Sequence, residues 1–262
     1  KPGNVHRGAD FDDLTFYEFI QSAIAVGSVF EQHKVLPLGQ LVFAAVEATR
    51  SVVATNTNLG LILLMAPLVK AATLDSEGVG AVLTQLQPED AELVYLAINK
   101  SEAGGLGDVV EMDVAERAPK SLLSAMEHAA ERDFIAAQYV NSFDDILSVA
   151  APKLHQNQQS GLSQVDAIVR THVELMSLYP DTLIARKCGD DVARESALRA
   201  GFVLEQIGNG EEAYFAALAD LDFWLRTDGH RRNPGTTADI IGAALLVGLI
   251  EGWLDSPVQN QT

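Results

Sequence analysis

Hydrophobic residues recur at helical spacing along almost the entire chain, and this pattern limits the fold more than any other feature. From residue 15 to residue 33 the apolar side chains fall on one face of a helix, and Thr15 stands where an N-cap is expected. No stretch alternates polar with apolar residues and is also rich in β-branched side chains, so a sheet has no source. The sequence therefore predicts an all-α protein. The same spacing predicts further helices at residues 38–54, 57–74, 88–100, 121–140, 162–178, 190–207, 211–227 and 236–253.

The connections between these helices are short. Of the 262 residues, 48% are hydrophobic, which is ample for a large buried core. The longest irregular stretch is 101–120, and a second polar interval, 152–161, is predicted to be a surface loop. Neither resembles a flexible tether, and no internal repeat is visible. We therefore expect a single compact multi-helix domain over residues 1–262.

Charge and cysteine content restrict the partners and the compartment. The formal charge of −18 argues against nucleic acid and anionic membranes as partners, since the field of the protein repels polyanions. Small anionic substrates remain compatible if a local basic cluster or a divalent cation offsets this field. The single Cys188 cannot form an internal disulfide, and no zinc-type spacing is present, which favours a reducing cytoplasm. The most apolar windows, 59–74 and 240–250, are shorter than the roughly 20 residues that span a bilayer, so we expect buried helices.

The chain opens with KPGNVHRGADFDD, which crowds charged residues around two glycines before the first helix. One interpretation is a solvated tail whose acids favour the start of a helix. The other is a loop for phosphate and metal, in which glycines let the backbone approach an anion, basic residues supply charge and acids hold Mg²⁺. Composition leaves both interpretations open. The residues concerned are Gly3 and Gly8, the basic Lys1 and Arg7, and the acids Asp10, Asp12 and Asp13.

The segment TNTNLG, residues 55–60, precedes an apolar run. Thr55, Asn56 or Thr57 can cap the helix that follows, yet two asparagines are more than a cap requires. A helix start also presents free backbone N–H groups to an anionic ligand. The same local structure therefore serves either a structural or a binding role.

The segment DTLIARKCG, residues 181–189, has the signals of a short helix. Asp181 is a good N-cap, and Arg186 with Lys187 suits the last turn before Gly189. A functional interpretation assigns the two basic residues to phosphates and Asp181 to a metal or a hydroxyl.

A third polar segment, RRNPGTTAD at residues 231–239, precedes another long apolar helix. An ordinary helix start explains Thr236 or Thr237 as the cap and Asp239 in the first turn. It does not explain the three polar residues that open the segment, Arg231, Arg232 and Asn233.

Together, in this order, these segments resemble the triphosphoribosyl-dephospho-CoA synthase family, and the similarity extends over essentially the whole chain. The intervening stretches GGLGDVVEMDV and AMEHAAERDFIAAQY are similar to the branch of that family found outside citrate lyase operons. Any one motif is a weak signal, whereas four in the right order are fairly specific. The resemblance implies an all-helical enzyme that uses ATP and dephospho-CoA, releases adenine and joins the triphosphoribosyl unit to a ribose hydroxyl of dephospho-CoA.

The implied reaction suggests roles for the polar residues. Loss of adenine gives the anomeric carbon oxocarbenium-like character, which a carboxylate stabilises, and a base must accept the proton of the attacking hydroxyl. Asp12 and Asp239 are the catalytic candidates for these two roles. The candidate Mg²⁺ ligands are Asp10, Asp13 and Asp181. The candidate substrate- and phosphate-binding residues are Lys1, Arg7, Asn56, Asn58, Arg186, Lys187, Arg231, Arg232 and Asn233.

Two departures from the family pattern leave the acceptor open. Where members of the family resemble NTHKG, this chain has Asn56 to Gly60 without the histidine and the lysine, and a histidine near the start is replaced within Ala9 to Asp13. A related ribosyl or phosphoribosyl transferase with another acceptor, for example in a modified-folate pathway, is one alternative. A helical nucleotide-binding protein without turnover is the other. Helices rich in Ala and Gly can also pack against a second copy, so a homo-oligomer stays open.

Overall fold

A computed structural model of the chain describes residues 1–101 and 121–254. Within these ranges the backbone forms thirteen α-helices and no strand, so the all-α prediction is confirmed. The helices are α1 (Phe16–Phe30), α2 (Leu38–Val52), α3 (Leu59–Lys70), α4 (Ser76–Thr84), α5 (Pro88–Ser101), α6 (Leu122–Ala129), α7 (Phe134–Val140), α8 (Ala151–Gln159), α9 (Gln164–Leu178), α10 (Thr182–Cys188), α11 (Asp190–Glu205), α12 (Glu211–Arg226) and α13 (Gly235–Glu251). A π-helical stretch, Asp145–Ala150, leads into α8. The irregular stretch expected from 101 to 120 lies outside the described residues, apart from Ser101 at the end of α5.

Several helix boundaries differ from the sequence prediction for local reasons. The predicted helix 121–140 is two helices, because the Asp133 side chain accepts hydrogen bonds from the N–H groups of Ile135 and Ala136 and so starts α7. The surface loop predicted at 152–161 is wrong, since most of it belongs to α8. That segment is polar but consists of good helix formers behind Pro152, which is suited to a first turn.

Contacts between Cα atoms divide the chain into two compact units. We call Val5–Phe143 the N-terminal unit, and Lys1–Asn4 together with the chain from Asp144 onward the C-terminal unit. The single domain expected from the sequence stays a prediction.

In the N-terminal unit, α2 packs against α1, α3 and α5, and α3 also contacts α4 and α7. Asp90 fixes the start of α2, because its Oδ1 accepts the Gly39 N–H at 2.7 Å. A Cβ atom on Gly39 would lie 2.6 Å from the Cα of Asp90, so only glycine allows this close approach. The apolar window around α3 is buried as expected, with Ile62 and Leu64 inaccessible or nearly so.

In the C-terminal unit, α11 packs against α9, α10 and α12, while α13 contacts α8, α9 and α10. The core shared by α9 to α12 includes Met176, Ile184, Leu221 and Leu225. The apolar window of α13 is buried as expected, and Ile241 is inaccessible. Across the described part of the chain, every helix is too short or too polar to cross a membrane.

Candidate active site

Two of the four polar segments singled out in the sequence, and the first four residues of a third, meet in the C-terminal unit. The opening residues Lys1–Asn4 contact α12 and the turn before α13, and that turn contacts α10. These segments are about 170 and 50 residues apart in sequence but contact one another in the fold. The fourth segment, TNTNLG, belongs to the N-terminal unit.

Asp181 joins two helix starts. Its Oδ1 accepts the N–H groups of Leu183 and Ile184 at 2.9 and 3.1 Å, which caps α10 as the sequence predicts. Its Oδ2 accepts both the N–H and the hydroxyl of Thr237 at 2.8 Å, so the same carboxylate also caps α13. Burial raises the pKa of Asp181, and the hydrogen bonds from Thr237, Ile184 and Leu183 oppose this rise. Each oxygen already has two donors, and the role of Asp181 as a metal ligand stays a prediction.

The sequence prediction for the start of α13 is wrong in its cap and in the position of Asp239. The helix begins at Gly235 after Pro234, and neither Thr236 nor Thr237 acts as a side-chain cap. Because Asp181 supplies the capping oxygen from α10, the helix starts earlier and Asp239 falls beyond the first turn. A Cβ atom on Gly235 would lie 2.6 Å from Leu183, so glycine lets the two helix starts come together.

The opening residues are held firmly against α12. The Gly3 N–H donates to Asp222 at 2.7 Å, and Arg226 donates to both Asp222 and the Asn4 carbonyl. Gly3 has a φ of +70°, and a Cβ atom there would lie 2.7 Å from Leu225. The glycine is therefore required by backbone conformation and by space. These contacts fix the position of the neighbouring Lys1.

Lys1 is in electrostatic contact with Asp239. Burial lowers the pKa of the Lys1 ammonium, and the charge of Asp239 acts in the opposite direction. Lys1 and Asp239, both predicted to act on substrate, are thus close enough for their charges to interact, and each is partly buried.

His172, on α9, is a buried residue near Lys1 that sequence reasoning passed over. Burial and the positive charge of Lys1 lower its pKa well below the usual range, while the Pro2 carbonyl opposes the change. The side chain is inaccessible to solvent, and neither ring nitrogen makes a hydrogen bond of good geometry. The imidazole is therefore neutral. Its only signal in the sequence is a polar residue on the apolar face of a helix.

Further basic residues surround the turn before α13. Lys187 donates to the Asn233 side chain at 3.2 Å, which ties the end of α10 to this turn. Arg231 donates to the Lys187 carbonyl at 3.0 Å and pairs with Asp228 at 3.5 Å. Arg232 stacks on Trp224, with its guanidinium carbon 4.6 Å from the ring centroid. Arg186 is half-buried in the last turn of α10.

This region concentrates positive charge in a chain whose formal charge is −18. Lys187 donates to the Asn233 side chain and Arg231 to the Lys187 carbonyl, while Asp228 pairs with Arg231 at 3.5 Å. Such a cluster attracts phosphate groups despite the repulsion from the rest of the protein.

The other charged candidates lie at the beginning of the N-terminal unit. Arg7, Asp10, Asp12 and Asp13 are all exposed. Asp10 accepts the Phe16 N–H at 2.7 Å, which supports the start of α1. This contact matches the structural interpretation of the acids, and their roles toward metal and substrate stay predictions.

The TNTNLG segment is engaged with its own unit. Thr55 donates to Glu18 at 2.8 Å, and hydrogen bonds from Thr15 and Thr55 lower the pKa of Glu18. Thr15 caps α1 as predicted, with Glu18 completing a capping box.

The two asparagines of this segment also have local partners. Asn58, which occupies the N-cap position of α3, hydrogen-bonds to Thr49 at 3.0 Å. Asn56 accepts the Leu59 N–H at 3.1 Å, so the expectation that one of residues 55–57 caps α3 holds for Asn56 in part. The substrate-binding roles of Asn56 and Asn58 stay predictions.

A metal site requires several ligating side chains around one point. Within residues 1–101 and 121–254, no group of three or more His, Cys, Asp or Glu side chains is placed to hold a metal ion. Mg²⁺ is often bound by one or two carboxylates plus substrate phosphates rather than by a protein cage. The described residues by themselves do not form a metal site.

An all-helical fold with cations and carboxylates gathered where one helix ends and another begins defines a class of protein suited to phosphorylated small molecules. A sequence profile of CitG, ATP:dephospho-CoA triphosphoribosyl transferase, matches residues 1–258. The chain also resembles the crystal structure of an Archaeoglobus fulgidus protein to which triphosphoribosyl-dephospho-CoA synthase activity has been assigned provisionally. The TM-score is 0.70 at 26% identity, and the match covers 90% of this chain and 100% of that one. No curated protein sequence matches the chain.

The chain belongs to the ATP:dephospho-CoA triphosphoribosyl transferase family. It is therefore a transferase, and the resemblance drawn from its four polar segments is confirmed. The family uses ATP and dephospho-CoA as small-molecule substrates.

Proposed function

We propose that the polar cluster of the C-terminal unit binds the triphosphate of ATP and transfers the triphosphoribosyl group to dephospho-CoA. The observation that carries this proposal is the meeting of Lys1, Asp239, Lys187 and Asn233 around the start of α13, which the Asp181 carboxylate joins to the start of α10. The segments that supply them come from distant parts of the chain, and their convergence is not needed for an ordinary helix cap.

The basic side chains are placed to hold a polyphosphate. Lys187 is tied to Asn233 and Arg231 lies against the end of α10, so both cations are positioned before a ligand arrives. Preorganised donors lose less entropy on binding than free side chains do. Lys1, Arg186 and Arg232 add charge, and Asn233 is suited to hydrogen-bond ribose or adenine.

The proposed reaction breaks one bond and forms one. The bond between the ribose anomeric carbon and the adenine nitrogen breaks, and its electron pair leaves with adenine, which takes up a proton. The acceptor hydroxyl oxygen forms a new bond to the anomeric carbon and gives its proton to a base. A carboxylate near that carbon stabilises its positive character more in the transition state than in the ground state.

Asp239 is our candidate for this carboxylate or for the base, because it stands in the cluster beside Lys1. Asp12 is the second candidate. Asp181 is better suited to positioning, since its oxygens hold the starts of α10 and α13. No step is assigned to Mg²⁺, which we expect to arrive with ATP, nor to Asp10 and Asp13. We further propose that the protein acts in the cytoplasm and has no nucleic-acid or membrane partner.

The test is incubation of the full chain with ATP, Mg²⁺ and dephospho-CoA, with free adenine measured by chromatography. We expect adenine release that depends on dephospho-CoA and yields a product heavier by one triphosphoribosyl unit in mass spectrometry. Adenine release that is equal with and without dephospho-CoA would point to another acceptor. No release with or without dephospho-CoA, from protein that still binds ATP, would overturn the proposal.

A further inference from the structure

A groove of about 210 Å³ lies in the C-terminal unit between α9 and α12, away from the basic cluster. Its walls are mainly apolar and include Val169, Ile207, Phe215 and Leu218. Sites for whole drug-sized ligands usually occupy about 300–1,000 Å³. The groove is therefore too small for a complete nucleotide and better suited to a slender chain.

The polar groups of the groove select against phosphate. Asp166 and Glu211 line it, and both are exposed acids in a strongly acidic protein. The one basic group of its lining, Arg170, lies over the Tyr214 ring at 4.6 Å and donates to the Tyr214 hydroxyl at 3.4 Å. The groove thus combines apolar walls with an oriented pair of hydrogen-bonding side chains. This composition fits an uncharged chain that carries amide groups.

Both helices of the groove lead toward the basic cluster. On α12, Leu218 precedes Asp222 by one turn, about 6 Å along the axis, and Asp222 holds the Gly3 N–H. On α9, Val169 precedes His172 by three residues on the same face, and His172 lies beside Lys1. A molecule reacting near Lys1 and Asp239 can therefore extend a second part into the groove.

We propose that this groove binds the pantetheine arm of the acceptor, dephospho-CoA. This proposal rests on the proposed function of the neighbouring cluster. The arm is an uncharged chain with two amides and a branched apolar segment, whereas every other part of ATP and dephospho-CoA is a phosphate, a sugar or a base. Ribose and pyrophosphate separate the arm from the reacting hydroxyl, which requires a subsite displaced from the anomeric carbon.

The experiment compares two acceptors and two variants of the full chain. ADP contains the adenosine diphosphate part of dephospho-CoA without the arm. Phe215→Glu places a charge in the groove at a residue that is 52% exposed, so the fold tolerates it. Phe223→Glu makes the same change on the same helix at a residue that is 72% exposed and outside the lining, and is the matched control.

With saturating ATP, we expect Phe215→Glu to raise KM for dephospho-CoA about tenfold, the discrimination that one apolar contact provides. The value of kcat/KM with ADP as acceptor, and the KM for ATP, should not change. Phe223→Glu should behave like the wild type. Equal losses with dephospho-CoA and ADP, or an equal effect of Phe223→Glu, would overturn the assignment of the groove.

Calorimetric titration with dephospho-CoA separates this proposal from the proposed reaction. If the wild type releases no adenine but binds dephospho-CoA about tenfold more tightly than Phe215→Glu does, the groove assignment stands and the reaction fails. If adenine is released normally and both proteins bind dephospho-CoA equally, the reaction stands and the groove assignment fails.

Discussion

The segments TNTNLG and RRNPGTTAD look alike in the sequence, since each places several polar residues before a long apolar helix. In the structure their side chains have different partners. Thr55 and Asn58 of the first bind Glu18 and Thr49 of neighbouring helices. In the second, Thr237 donates to Asp181 at the start of another helix, and Asn233 accepts a hydrogen bond from Lys187 at the end of that helix. The first segment therefore ties helices together with its own uncharged side chains, whereas the second brings two arginines to the approach of a helix start, an arrangement suited to phosphate.

The largest effect is expected when one charge is removed from the second segment. Asp239→Asn should leave the protein folded but lower adenine release by about 100-fold or more, because a group that assists proton transfer or stabilises the cation is lost. Asp228→Asn, which changes an acid paired with Arg231 in the same region, is the control and should retain activity. Near-normal turnover by Asp239→Asn would remove Asp239 from the mechanism.

The shared cap of α10 and α13 can be tested by stability. Asp181→Ala leaves donors at two helix starts without their acceptor, and should lower the free energy of unfolding by about 2 kcal/mol. Asp133→Ala removes the cap of α7 alone and should cost about 1 kcal/mol. Urea denaturation measures both values. If both variants lose the same free energy of unfolding, the hydrogen bonds that Thr237 donates to Asp181 add no stability.

A pair of matched asparagine variants, one in each segment, tests directly which segment binds the substrate. Asn233→Ala should raise KM for ATP about tenfold, the equivalent of one hydrogen bond to a charged or polar ligand. Asn58→Ala should leave this KM unchanged and lower the free energy of unfolding by about 1 kcal/mol, because it loses its bond to Thr49. The reverse result, with Asn58 controlling KM, would move the substrate site toward TNTNLG.

For the buried His172, the smallest effect at pH 7 is expected, and the effect grows as the pH falls. Its lowered pKa means that the folded protein binds fewer protons than the unfolded chain below the ordinary histidine value of about 6.5. Stability should therefore fall as pH decreases from 6.5, by up to about 1.4 kcal/mol per pH unit. His172→Leu should lose little stability at pH 7 and show a weaker fall between pH 6.5 and 5. Thermal unfolding across this range gives the comparison, and an unchanged slope in the variant would show that His172 is not responsible.

The sequence predicts the local parts of this molecule better than its long-range contacts. Thr15 and Asp181 are recognisable caps because a cap depends on residues within one helical turn. The start of α13 was misplaced because its cap comes from Asp181, more than fifty residues earlier, and no local pattern records that. The helix α8 was missed because its residues are polar, although they favour helix formation.

The candidate site shows the same limit. The motifs identify the charged residues, and the resemblance to the family suggests their roles. The position of Lys1 beside Asp239 depends on Gly3 fitting against Leu225, a contact that needs the folded core. His172 carried no motif, and only its burial next to Lys1 marks it.

The anchoring of Gly3 by Asp222 has a consequence for biosynthesis. These residues are separated by 219 positions, so at roughly 5–20 residues per second the partner is made about 10–45 seconds later. During that interval the opening residues leave the ribosome without the helix that receives them. The contact between the opening residues and α12, on which the proposed site depends, therefore forms only after α12 has emerged.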